Sequence, residues 1–144
     1  MLGEPLPGWF GGPAMAFRKP MNGDVVAKLD EEEIIECVDA KAWERWLKGH
    51  TRASGVWLRI AKKGADSKTV SITDALDVAL CYGWIDSQRK GYDSSYYLQR
   101  YSPRRRGSPW SKLNVERAVA LIEAGRMKAA GLLEIELAKE DGRW

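Results

Sequence analysis

Apolar residues recur along this chain with two different periods. After Asp39 the run AKAWERWLKGH places Trp43, Trp46 and Leu47 at i, i+3 and i+4, which predicts a helix capped by Asp39 with those three side chains facing inward. GVWLRIA (55–61) instead alternates and is rich in β-formers, predicting a strand that ends at the turn-like KKGADSK. SITDALDVALCYGW predicts a second helix, capped by Thr73, with Leu76, Ala79, Leu80 and Gly83 down one face. Gly83 closes it in a left-handed conformation. WIDSQR and SYYLQRY flank KGYDS as an antiparallel hairpin. Beyond it, Ser108 followed by Pro109, or else Ser111, caps a helix that carries Val115, Ala118, Val119 and Ile122 and ends at Gly125; a last helix from about Ala129 carries Ala130, Leu133 and Leu137. Helices and strands interleave without a regular βαβ repeat, so the expected class is α+β, a single compact domain with a small, mostly antiparallel sheet packed against several helices.

The first 23 residues hold five glycines and four prolines, a composition that opposes both helix and sheet. The expected division is therefore an irregular Gly/Pro-rich, then acidic, leader over 1–32 and the α+β domain over 33–144, with the fold starting near Ile34 and Met15 or Met21 as alternative starts. A chain of 144 residues buries a core without disulfides or metals. Cys37 and Cys81 have no CxxC spacing and His50 is the lone histidine, so neither a metal site nor a cofactor is expected and the thiols read as free and buried. The leader lacks a basic start followed by an apolar run, and no stretch approaches the length of a membrane span; a cytoplasmic protein is the expectation.

Charge changes the picture more than composition does. From Asp24 to Glu44 eight acids face two lysines, whereas from Gln88 to Lys112 seven bases face only Asp93. Regions of opposite sign predict either attraction of an anion at one end or head-to-tail pairing, so both monomer and homodimer are open.

GVWLRIAKKG, ALDVALCYGWIDSQ, YYLQRYSPRRRGSPWSKLNVERAVALIEAGRM and AAGLLEIELAKEDGRW together resemble the YdeI/OmpD-associated family of bacterial proteins, also called bacteriocin-protection proteins. The resemblance covers about residues 34 to 144 and centres on GWID, PRR and WSK-x-N. It does not include the leader, and the lysine- and arginine-rich helical segment common in the family does not follow Trp144 in this sequence. What it implies is a link to porins as partners, to envelope stress and to antimicrobial-peptide resistance, without an assigned biochemical activity.

The residues themselves point to binding. In RRRGSPWSKLN a helix start with free N–H groups and a positive dipole end sits among Arg104, Arg105, Ser108, Ser111 and Lys112, which suits phosphate, sulfate or carboxylate. The structural alternative has the serine merely capping, Trp110 filling the core, Asn114 bracing a loop and one arginine pairing with Asp86. The candidate ligand-binding surface is Trp84, Asp86, Arg100, Arg104, Arg105, Trp110, Ser111, Lys112 and Asn114. Tyr92, Tyr96, Tyr97 and Tyr101 interleaved with these bases make single-stranded nucleic acid the rival ligand, unless the tyrosines are core and the arginines cover their edges. A cryptic hydrolase is the third reading, with Cys81 or Ser87 as nucleophile, His50 as base and Asp86 as orienting group. No nucleophile-elbow or oxyanion motif accompanies them, so the expectation is a non-enzymatic binding protein.

Overall fold

The computed structural model describes residues 24–144. Along them run β1 (Asp24–Leu29), β2 (Glu32–Glu36), α1 (Ala40–Gly49), β3 (Val56–Ala61), α2 (Ile72–Cys81), β4 (Trp84–Gly91), β5 (Tyr96–Pro103), α3 (Lys112–Glu123) and α4 (Ala129–Glu140). The strands form one sheet in the order β1-β2-β3-β5-β4. All neighbours are antiparallel except β2 and β3, which α1 joins by a crossover. The fold is α+β.

The irregular leader expected up to Gly23 lies outside the described residues, but its acidic continuation from Asp24 forms the β1–β2 hairpin. Val26, Ala27 and Leu29 pack against Ile34, Trp57 and Leu98, which gives the strand an apolar side despite the acids around it. Leu29 pairs with Glu32, so only Asp30 and Glu31 make the turn, at φ 52° and 68°. Two successive left-handed residues are the type I′ turn that matches strand twist, a geometry usually supplied by Asn-Gly.

Side chains alternate across the sheet. Ile35, Val56, Leu58, Ile60 and Tyr101 join the main core with α1 and α2, whereas Ile34, Trp57 and Leu98 form a smaller cluster on the opposite face. Trp46 and Trp57 are both buried, Trp46 on the helix face that its spacing predicts. Asp39 caps α1 by accepting from the Ala42 amide at 2.9 Å. Helix α2 begins two residues before the expected Thr73 cap: Ser71 is the cap, its Oγ accepting from the Asp74 amide at 3.1 Å. Either hydroxyl suits an N-cap; Ser71 takes the role because Ile72 is already helical.

The expected stripes of the last two helices are displaced. In α3 the buried residues are Ala118 and Leu121 while Val119 and Ile122 are exposed; in α4 they are Gly131, Ile135 and Ala138 while Leu133 and Leu137 are exposed. In α3 it is Leu121 that packs on Leu80 and Cys81; in α4 the cause is a close approach at a glycine. A side chain at Gly131 would lie 2.6 Å from the Cys81 carbonyl oxygen and 2.7 Å from that of Leu80, so α4 meets the end of α2 at Gly131 and the larger residues fall to the flanks. Gly83 ends α2 at φ 79°, and a Cβ there would also meet the Ala130 carbonyl at 3.0 Å; only glycine combines that backbone with that proximity.

Trp57→Ala is expected to cost about 3–5 kcal/mol, the usual range for truncating a buried large aromatic, and a denaturant midpoint equal to wild type contradicts it. Glu31→Gly is expected to raise stability by about 0.5–1 kcal/mol by relieving a left-handed non-glycine residue, read from the same unfolding curves; no gain would show that the turn is unstrained.

Candidate functional site

The end of β5 delivers the arginine triplet. Pro103, opposite Trp84 in the β4–β5 ladder, is the last strand residue, and the Arg104 amide donates to the Gly83 carbonyl at 3.0 Å. That bond fixes the chain so that Arg104 turns inward, 8% exposed, while Arg105 and Arg106 stay in solvent. The Ser108 amide then closes a turn on the Arg105 carbonyl at 3.0 Å. Ser111 caps α3 by accepting from the Asn114 amide at 3.1 Å, which leaves Lys112 exposed at the first helical position.

The Arg104 guanidinium lies over the Trp110 ring at 3.6 Å. Its Nη1 donates to Ser108 Oγ and to the Pro109 carbonyl, both at 3.2 Å. Its Nε and Nη2 are buried without a partner, and so is Trp110 Nε1. Burial pushes the Arg104 pKa down to about 10; Glu134 and Asp86 oppose that shift and Arg143 adds to it. Trp110 is in turn held edge-on by Trp144 at 5.0 Å, and Arg143 Nη1 donates to the Ser108 carbonyl at 2.7 Å. Three N–H donors on one stacked arginine–tryptophan pair are thus buried without an acceptor, and each unpaired group costs free energy. Arg104 also lines a cleft of about 210 Å³ together with Trp84, Leu47, Leu133 and Glu134.

The nine expected residues therefore divide. Trp84, Arg104 and Trp110 come together, Trp84 with its indole edge-on to Trp43 and Trp46 in the core. Asp86 is half-buried opposite Tyr101 in the β4–β5 ladder. Arg100 is elsewhere, in a bidentate ion pair with Glu32 at 2.8 Å for each bond, which raises its pKa further. Arg105, Ser111 and Lys112 are exposed, and Asn114 contributes a backbone amide to the cap. Sequence reasoning missed Glu134, Leu133 and the Arg143–Trp144 clamp; the GRW block that contains the clamp was the available signal.

The tyrosines proposed as stacking rings are differently employed. Tyr96 and Tyr101 are buried, with Arg59 over Tyr96 at 4.2 Å, and half-buried Tyr97 carries Arg89 at 4.8 Å. The residues of the hydrolase reading are separately engaged: His50 lies flat on Trp46 at 4.0 Å and its Nδ1 donates to the Trp46 carbonyl at 2.7 Å. Cys81 sits with Leu80 and Leu121, its thiol pushed up by burial, and Ser87 Oγ accepts from Arg100 at 3.4 Å. Among the described residues no group of three or more His, Cys, Asp or Glu is placed to hold a metal.

A family model described as a domain of unknown function, DUF8412, matches residues 35–134, and the chain belongs to that family. No curated protein and no solved structure matches it.

Tyr101, opposite Asp86 in the β4–β5 ladder, gives a check of the core beneath β4. Its hydroxyl is buried without a partner, and burial raises its pKa above the ordinary 10, with Asp86 adding to the shift. The folded state thus keeps a proton that the unfolded chain releases above pH 10, so stability is lost as pH rises from there. Tyr101→Phe should be neutral or stabilising at pH 7 and should make the alkaline loss shallower by about 1.4 kcal/mol per pH unit; equal slopes in urea unfolding at pH 10 and above would show the hydroxyl to be accessible.

Proposed function

We propose that this member of the DUF8412 family is a non-enzymatic binding module whose site is the Arg104–Trp110 cluster and whose ligand carries a small anionic group. The observation that supports it is the set of three buried, acceptor-less donors, Arg104 Nε, Arg104 Nη2 and Trp110 Nε1. A carboxylate or phosphate offers the paired acceptor oxygens that a guanidinium fork matches. Arg105 and Lys112, exposed nearby, add long-range attraction for an anion. A single-stranded polynucleotide suits the site less well, because Tyr96 and Tyr101 belong to the core and would have to leave it to stack on bases.

As part of the same proposal, the resemblance to YdeI/OmpD-associated proteins associates this binding with bacterial envelope stress and antimicrobial-peptide resistance, exerted from the cytoplasm. Among the described residues no helix is long and apolar enough to cross a membrane.

Titrating phosphate, sulfate and acetate while following the Trp110 indole N–H resonance tests the reading. Arg104→Gln should weaken binding by about tenfold or more, the worth of a charge-assisted hydrogen bond, whereas Arg105→Gln and Tyr97→Ala should leave it within about twofold. A short single-stranded oligonucleotide that binds with a steep salt dependence and needs Tyr97 and Arg105 would transfer the function to nucleic acid.

A further inference from the structure

The cleft beside Arg104 is lined by two opposite charges, Arg104 and Glu134, among mostly apolar side chains. Arg104 lines it, and two of its guanidinium donors lie unpaired behind that wall. Glu134, half-buried on α4, lines the same cleft, and its carboxylate makes no hydrogen bond or ion pair with any described residue, although its charge acts favourably on Arg104. Its Cγ would touch a Cβ at Gly83 at 3.4 Å, which places the side chain across the turn whose carbonyl holds the Arg104 amide. The other walls include Leu47, Trp84 and Leu133, with Thr51 and Tyr82 beside them. A cavity of about 210 Å³ falls below the range that accepts drug-sized ligands and suits a metabolite of amino-acid size.

We infer that the cleft binds a small zwitterion with an apolar body, an apolar α-amino acid, its carboxylate on Arg104 and its ammonium on Glu134. This rests on the anion-binding reading above and narrows it. A simple anion answers the Arg104 donors but leaves Glu134 facing added negative charge, a like-charge contact that disfavours binding. A simple cation has the converse fault beside Arg104. A molecule with both charges on adjacent carbons satisfies both ends, and its side chain covers the leucine and tryptophan walls. Arg104 Nε and Nη2 are shut from solvent in this conformation, so binding requires a rotamer shift of the kind common at ligand sites. The exposed Leu133, 58% accessible on the rim, is free to move with it.

The experiment compares L-leucine with 4-methylpentanoate, which lacks the ammonium, and with leucinamide, which lacks the carboxylate, by calorimetry and the Trp110 indole resonance on the full chain. Leucine should bind about tenfold or more tighter than either analogue. Glu134→Gln should erase its advantage over 4-methylpentanoate without weakening 4-methylpentanoate itself, and Arg104→Gln should abolish binding of both acids. Leu133→Trp, a change at an exposed position that fills the cleft, should abolish leucine binding with the melting temperature unchanged, which keeps the test valid where Arg104→Gln destabilises the fold. If 4-methylpentanoate or phosphate binds as tightly as leucine and needs Arg104, the zwitterion inference falls and the anion reading stands. If none of these probes shifts the Trp110 resonance at tens of millimolar, or if leucine binding survives Arg104→Gln, both fall.

Discussion

The indole of Trp43 ties the helical layer to the sheet. From α1 its Nε1 donates to the Ala75 carbonyl of α2 at 3.0 Å while its ring contacts Trp46 at 5.7 Å, Trp84 at 6.5 Å and Tyr101 at 5.3 Å. One fully buried side chain thus touches α1, α2, β4 and β5. Aromatic contacts of this type add modestly to the area they bury, but the geometric effect is larger: with Trp84 wedged against Trp43 and Trp46, the start of β4 has one position. The turn at Gly83 and the hydrogen bond from Arg104 follow from it.

Arg104 is retained at a cost. An arginine with two unpaired donors under an aromatic ring is less favourable than an apolar residue of the same volume, and neither Glu134 nor Asp86 comes within ion-pair distance of it in the described residues. Its neighbours Arg105 and Arg106 carry the same chemistry in solvent without such a penalty. Local tension of this sort is common where a protein holds groups ready for a ligand.

What the sequence made legible was what it encodes locally. The Asp39 cap, the β4–β5 hairpin and the left-handed Gly83 depend on residues a few positions apart, and each stands where its pattern places it. The parallel pairing of β2 with β3 joins Ile34 to Trp57 across a helix, and no short-range pattern announces it. Burial of Arg104 but not Arg105 was equally hidden, because three successive arginines look alike until the end of β5 sets which one points inward. The faces of α3 and α4 were misread for a different reason: hydrophobic spacing weights large residues, whereas α4 meets α2 at Gly131 and α3 packs Leu121, not Val119 or Ile122, against Leu80 and Cys81.

Three acids of the acidic region are held by bases elsewhere in the sheet. Glu32 grips Arg100, Glu36 grips Arg59 and Asp30 reaches Lys90 at 3.5 Å. The Glu32–Arg100 bridge passes from β2 to β5 over the chain just before β3, and it fits only because residue 55 is glycine: a Cβ there would lie 2.5 Å from Arg100 Nη2 and 2.7 Å from Glu32 Oε2. Strands β2 and β5 are not neighbours, so this bridge measures the register of two ladders at once. A slip of one residue in either ladder turns the partner side chain to the opposite face, where it strands a carboxylate and a guanidinium without each other. One ion pair across the sheet thereby favours the native register of two ladders over a slipped one.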